Sequence, residues 1–68
     1  MRTFVLIRDR DVSGVSGTGR VAEGVVFVGG KTVVYWLSDT PSINIYGSVE
    51  EMLRVHGHGG ATHVEFLT

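Results

Sequence analysis

Cysteine is absent, so neither a disulfide nor a cysteine-ligated zinc can brace this chain. The absence matters at 68 residues. A domain of that size buries only about 60% of the surface its unfolded chain exposes. The usual reinforcements that remain are oligomerisation and a metal without cysteine ligands. Proline occurs once, as Pro41. Charge of neither sign dominates: six basic residues meet seven acidic ones, for a net charge of −1. A general nucleic-acid binder needs a basic footprint, so nucleic acid is disfavoured as a partner. No apolar run approaches the ~20 residues of a membrane helix, and no secretory signal is recognisable. The expectation is one small soluble, cytoplasmic domain over residues 1–68, with no cofactor and no membrane partner.

What the chain does contain is strand material. Twelve Val, three Ile and six Thr are β-branched, and ten Gly supply turns. Residues 2–8 read as a first strand whose centre, Phe4-Val5-Leu6-Ile7, is apolar on both faces. Residues 9–19 then lose all periodicity in a long run of turn formers. Residues 20–28 and 31–38 flank Gly29-Gly30, which suits a two-residue type I′ hairpin. That turn sets Val28 against Lys31. One hairpin face then holds Ala22–Leu37, Gly24–Tyr35 and Val26–Val33, with the Tyr35 ring free to lie over Gly24. The other holds Glu23–Trp36, Val25–Val34 and Phe27–Thr32. Neither is polar, and a one-residue slip would exchange the faces of one strand.

Residues 43–46 alternate as a short strand with Ile43 and Ile45 inward. Ser48-Val49-Glu50-Glu51 has the form of a helix capping box. Val49, Met52, Leu53 and His56 follow on one helical face, and Gly57 stops the helix. Residues 62–67 make a last strand, with Val64 and Phe66 on one side and His63 and Glu65 on the other. The order β-β-β-β-α-β predicts a mostly β fold with one short helix. It fits either a small SH3-like barrel or an antiparallel sheet with the helix packed on it.

Three constellations carry possible chemistry. Ser13, Ser16 and Thr18 stand among glycines before Arg20, a set that can cradle an anion such as a nucleotide phosphate. The spacing is not that of a P-loop, because Arg20 leads into a strand and not a helix. The same residues also suit a loop that packs on itself through side-chain-to-backbone bonds. His56, His58 and His63 raise metal-dependent hydrolysis, but in no recognised ligand spacing, and His56 is explained by a favourable helix C-terminus. Glu23, set against Trp36 on an apolar face, reads as a structural acid or a buried catalytic one. No nucleophile elbow is present.

The string Ser16-Gly-Thr-Gly-Arg-Val-Ala-Glu-Gly24, with Trp36, Pro41-Ser42 and Val55-His-Gly-His58, resembles a group of small proteins. These are encoded in actinobacterial phages, prophages and haloarchaeal genomes or viruses. The resemblance runs nearly end to end and implies a mobile-element setting. It carries no catalytic or binding residues with it. The resulting expectation is a non-enzymatic binding or interaction module that acts on a host protein or a small anionic ligand. Homodimerisation is expected as well, through an apolar patch of Val25, Phe27, Val34 and Trp36, because a short helix covers only part of one sheet face.

Overall fold

The computed structural model describes residues 1–9 and 18–68, and His58 in its backbone only. Five strands form one antiparallel sheet: β1 (Arg2–Arg8), β2 (Gly19–Val26), β3 (Thr32–Trp36), β4 (Ile43–Tyr46) and β5 (Thr62–Phe66), in the spatial order β4-β3-β2-β1-β5. The first four strands meander. The chain then crosses one face through α1 (Val49–His56) and a 3₁₀ turn at His58–Gly60, and β5 pairs with β1 at the far edge. Because β4 and β5 end the sheet on opposite sides, it stays open and no SH3-like barrel closes.

The helix forms where its local chemistry places it. Ser48 is extended, and its hydroxyl accepts from the Glu51 amide at 3.0 Å. Such a cap contributes about 1 kcal/mol. Gly57 ends the helix for a reason other than left-handed backbone. Its φ is −72°, but a side-chain carbon there would lie 2.5 Å from the Leu53 carbonyl oxygen.

Met52 is the one fully buried helical residue, and it drops into a core of Phe4, Leu6, Val21, Ala22 and Val34. Fully burying side chains of this kind stabilises by roughly 1.5–3 kcal/mol each. Phe66 meets Phe4 edge-on at 6.0 Å, and the Arg2 guanidinium covers the Phe66 ring at 3.6 Å. Arg8 is buried and donates from Nε to Thr62 Oγ1 at 2.9 Å.

The central hairpin differs from expectation by one residue. Phe27 pairs with Lys31, and the Gly30 amide donates to the Phe27 carbonyl. Three residues, Val28, Gly29 and Gly30, therefore make the turn. This is a type I turn closed by a glycine bulge, and only Gly30 has positive φ, at +97°. The ladder becomes Val25↔Val33, Gly24↔Val34, Glu23↔Tyr35 and Ala22↔Trp36. Every β3 side chain consequently changes face. Val34 and Trp36 turn toward the helix, while Val33 and Tyr35 turn away from it. It is the Phe4 ring, not Tyr35, that lies over Gly24.

This turn makes an asymmetric prediction. Gly30→Val should lower stability by at least about 1–2 kcal/mol, the cost of left-handed backbone for an L residue. Gly29→Val should stay within ~0.5 kcal/mol, since open space surrounds it. Urea midpoints of the two single variants check this. Equal losses would restore the two-residue turn.

Candidate functional site

Among the described residues, α1 packs on one sheet face and no element covers the other. Pairing arranges that open face in three rows. Leu67, Thr3, Val25, Val33 and Ile45 form the first; Glu65, Val5, Glu23, Tyr35 and Ile43 the second; His63, Ile7 and Arg20 the third. Arg20 reaches this face because the ladder slips between Leu6 and Ile7, where Val21 becomes the extra residue and turns into the core.

A groove of about 430 Å³ runs across the first two rows, lined by Thr3, Phe4, Glu23, Gly24, Val25, Val33, Tyr35 and Leu67. Its lining is mainly apolar, with a Tyr35 ring 39% exposed and one carboxylate, Glu23, on its wall. Small-molecule and peptide sites share this composition: apolar walls with few polar groups to orient a partner. Toward β4 the apolar surface continues through Ile43 and Ile45, which are 65% and 68% exposed. Both were expected inward. Alternation does separate them from Tyr46, but the side they share is the uncovered one.

The third row is polar at both ends, with Ile7 between them. His63 Nε2 lies 3.1 Å from Glu65 and Nδ1 3.6 Å from Asp9, with all three side chains substantially exposed. Exposed pairs of this kind contribute at most about 1 kcal/mol. Arg20 and Thr18 are exposed beside this end of the face. Ser13 and Ser16 lie outside the described residues. Glu23 is exposed and faces Tyr35, so the expected burial against Trp36 does not occur.

The expected dimer patch is divided. Val25 and the exposed Phe27 belong to the open side, but Val34 is fully buried in the core and Trp36 packs against it. The slip of one residue in the hairpin accounts for this division. Tyr35 takes their place, together with Val33, Thr3 and Leu67, which the sequence did not single out as a site. A three-residue turn ending in Gly30 was the signal that could have found Tyr35 and Val33.

Trp36 stacks near His56 on the helical side, with ring centroids 4.7 Å apart, and His56 Nε2 shares a 2.6 Å hydrogen bond with Tyr46 Oη. Burial raises the Tyr46 phenol above its ordinary value. Its contribution to stability is therefore present below about pH 10 and is lost as pH rises through the raised folded value. His56 and His63 stand on opposite faces of the sheet, so the histidines weighed as metal ligands for the alternative of a hydrolase do not converge through these two. Among the described residues no three His, Asp or Glu side chains gather as a metal site. Nor is any helix long and apolar enough to cross a membrane.

A family model described as Acb5 phage protein matches residues 1–68. No curated protein and no solved structure gives a significant match.

Proposed function

Because the chain belongs to the Acb5 phage protein family, we propose that it is a small phage accessory protein of the host cytoplasm that acts by binding and not by catalysis. Its working surface is the open sheet face. The observation that carries this reading is the 430 Å³ apolar groove with Tyr35 exposed on its wall. Tyrosine offers large rigid contact area at low entropic cost and is enriched where binding energy concentrates. The acid–base cluster of His63, Asp9 and Glu65 lies outside the groove lining, which fits binding better than turnover. On this reading the partner is a host protein that seats an apolar side chain in the groove.

A second reading has its own observation. Arg20 shares the face with the groove, one row beyond Glu23. A ligand with a planar ring against Tyr35 and an anionic group toward Arg20 and Thr18 would span the two, as a nucleotide does.

Two variants separate the readings. Tyr35→Ala is expected to weaken a captured host protein at least tenfold, about 1.4 kcal/mol, with an unchanged melting temperature. Arg20→Ala should leave that complex intact. Under the second reading, Arg20→Ala should weaken a nucleotide measured by calorimetry. A partner indifferent to Tyr35→Ala and to Val25→Glu binds elsewhere and would sink the assignment of this face.

A further inference from the structure

The outer edge of β4 is built to pair with another strand. The Trp36 amide donates to the Ser42 carbonyl, and the Leu37 amide donates to Val21. In an antiparallel ladder the bonded residues alternate. Even-numbered residues of β3 therefore bond β4, and odd-numbered ones bond β2. On β4, Asn44 and Tyr46 spend their backbone groups on Val34 and Thr32. The N–H and C=O of Ile43 and Ile45 point away from the sheet, and no backbone bond to them is found among the described residues.

Natural edges are blunted by charge, proline within the strand, a bulge or a covering element. β4 has none of the first three. Between Asp39 and Glu50 no residue is charged. The pairing with β3 is regular, and Ile43 and Ile45 stay 65% and 68% exposed. The opposite edge differs, since β5 carries Glu65 and His63. A surface that meets its own copy brings like against like, so neutrality favours β4 for that role and disfavours β5.

We propose that two copies of this chain join through β4, antiparallel, about a two-fold axis at Asn44. In this register Ile43 of one copy opposes Ile45 of the other. All the outward groups of both strands are then used, in four reciprocal hydrogen bonds, and Asn44 faces its own copy. Registers centred on Ile43 or Ile45 leave some of those groups unpaired. The result is a continuous sheet in which four isoleucines cluster on the open side, beside both grooves and covering neither. The inference is independent of what the groove binds. A four-residue edge lies at the small end of specific interfaces, so association in the micromolar range is expected.

Sedimentation velocity from about 1 µM to 1 mM tests the proposal. The wild-type should move from its 7.4 kDa monomer toward twice that mass. Asn44→Lys and Asn44→Asp each set like charges directly opposite one another, and each should weaken the dimer at least tenfold. Mixed in equal amounts, they should recover a heterodimer, because only this register places position 44 against itself. Ile45→Pro removes an outward N–H that its own sheet does not use, and it should also give monomers. Circular dichroism and melting of each variant establish that it is folded. A folded wild-type that stays at 7.4 kDa throughout overturns the proposal. So does a dimer indifferent to Asn44→Lys, or a mixture that fails to associate. A dimer split by Tyr35→Glu alone would instead place the contact on the open face.

Discussion

Substituting a larger residue at Gly24 should cost this protein a large part of its stability. Gly24 sits in the middle of the central strand beneath the Phe4 ring. A side-chain carbon there would collide with Phe4 Cζ and come within 2.7 Å of both Phe4 Cε1 and the Val33 carbonyl oxygen. Neither neighbour yields cheaply. The Phe4 ring is fully buried with Phe66 against it, and Val33 is held in the ladder opposite Val25. Overpacking a tight core costs typically ~1–3 kcal/mol for a small addition. A domain of this length has roughly 3–10 kcal/mol in total. Gly24→Ala should therefore lose about 2–3 kcal/mol, and Gly24→Val should leave little folded protein. Shortening the ring with Phe4→Leu should recover part of the Gly24→Ala loss, because the two changes share one space. Urea denaturation of the two singles and the double measures it. A wild-type midpoint for Gly24→Ala would mean that the ring does not lie where the structure puts it.

Met52→Ala should be comparably severe. Met52 is the sole fully buried side chain of α1, and it ties the helix to Phe4, Leu6 and Val34. Truncating a buried Met costs about 2–5 kcal/mol. An eight-residue helix is unstable on its own, so its persistence depends on that contact. Amide hydrogen exchange should show protection lost first across α1, with the sheet following as total stability falls. Val55, 60% exposed on the same helix, is the control. Val55→Ala should stay within ~0.5 kcal/mol. Equal losses at both positions would mean that the helix docks by another face.

The two expectations for the hairpin show how far local signals carry. Gly29-Gly30 marked a turn between two β-branched runs, and a turn is there. A two-residue and a three-residue loop both fit that string, and they differ by one residue in register. Because strand side chains alternate with a period of two, that single residue moved Val34 and Trp36 from the expected dimer surface into the core. It also brought Tyr35 out onto the groove. The candidate site was therefore legible only in part: Val25, Glu23 and Arg20 were marked, but Thr3, Val33 and Leu67 were not. Thr3 and Leu67 come from the two ends of the chain, and nothing short of the β1–β5 pairing brings them beside Val25.

The sequence alone determined what depends on neighbouring residues. The five strands, the order β-β-β-β-α-β and the Ser48 cap follow from side-chain branching, turn chemistry and a hydroxyl three residues from an amide. The lack of cysteine likewise excluded a disulfide-braced fold, and the balanced charge argues against a basic nucleic-acid-binding one. Only the tertiary structure decided which strand would be left at the edge. The insertion of β5 beside β1 is a pairing between residues more than fifty positions apart, and no local preference encodes it. That pairing keeps the sheet open and leaves Ile43 and Ile45 outside. Among the described residues no helix or strand packs on the other face, where Tyr35, Ile43 and Ile45 are exposed and Val5 is buried.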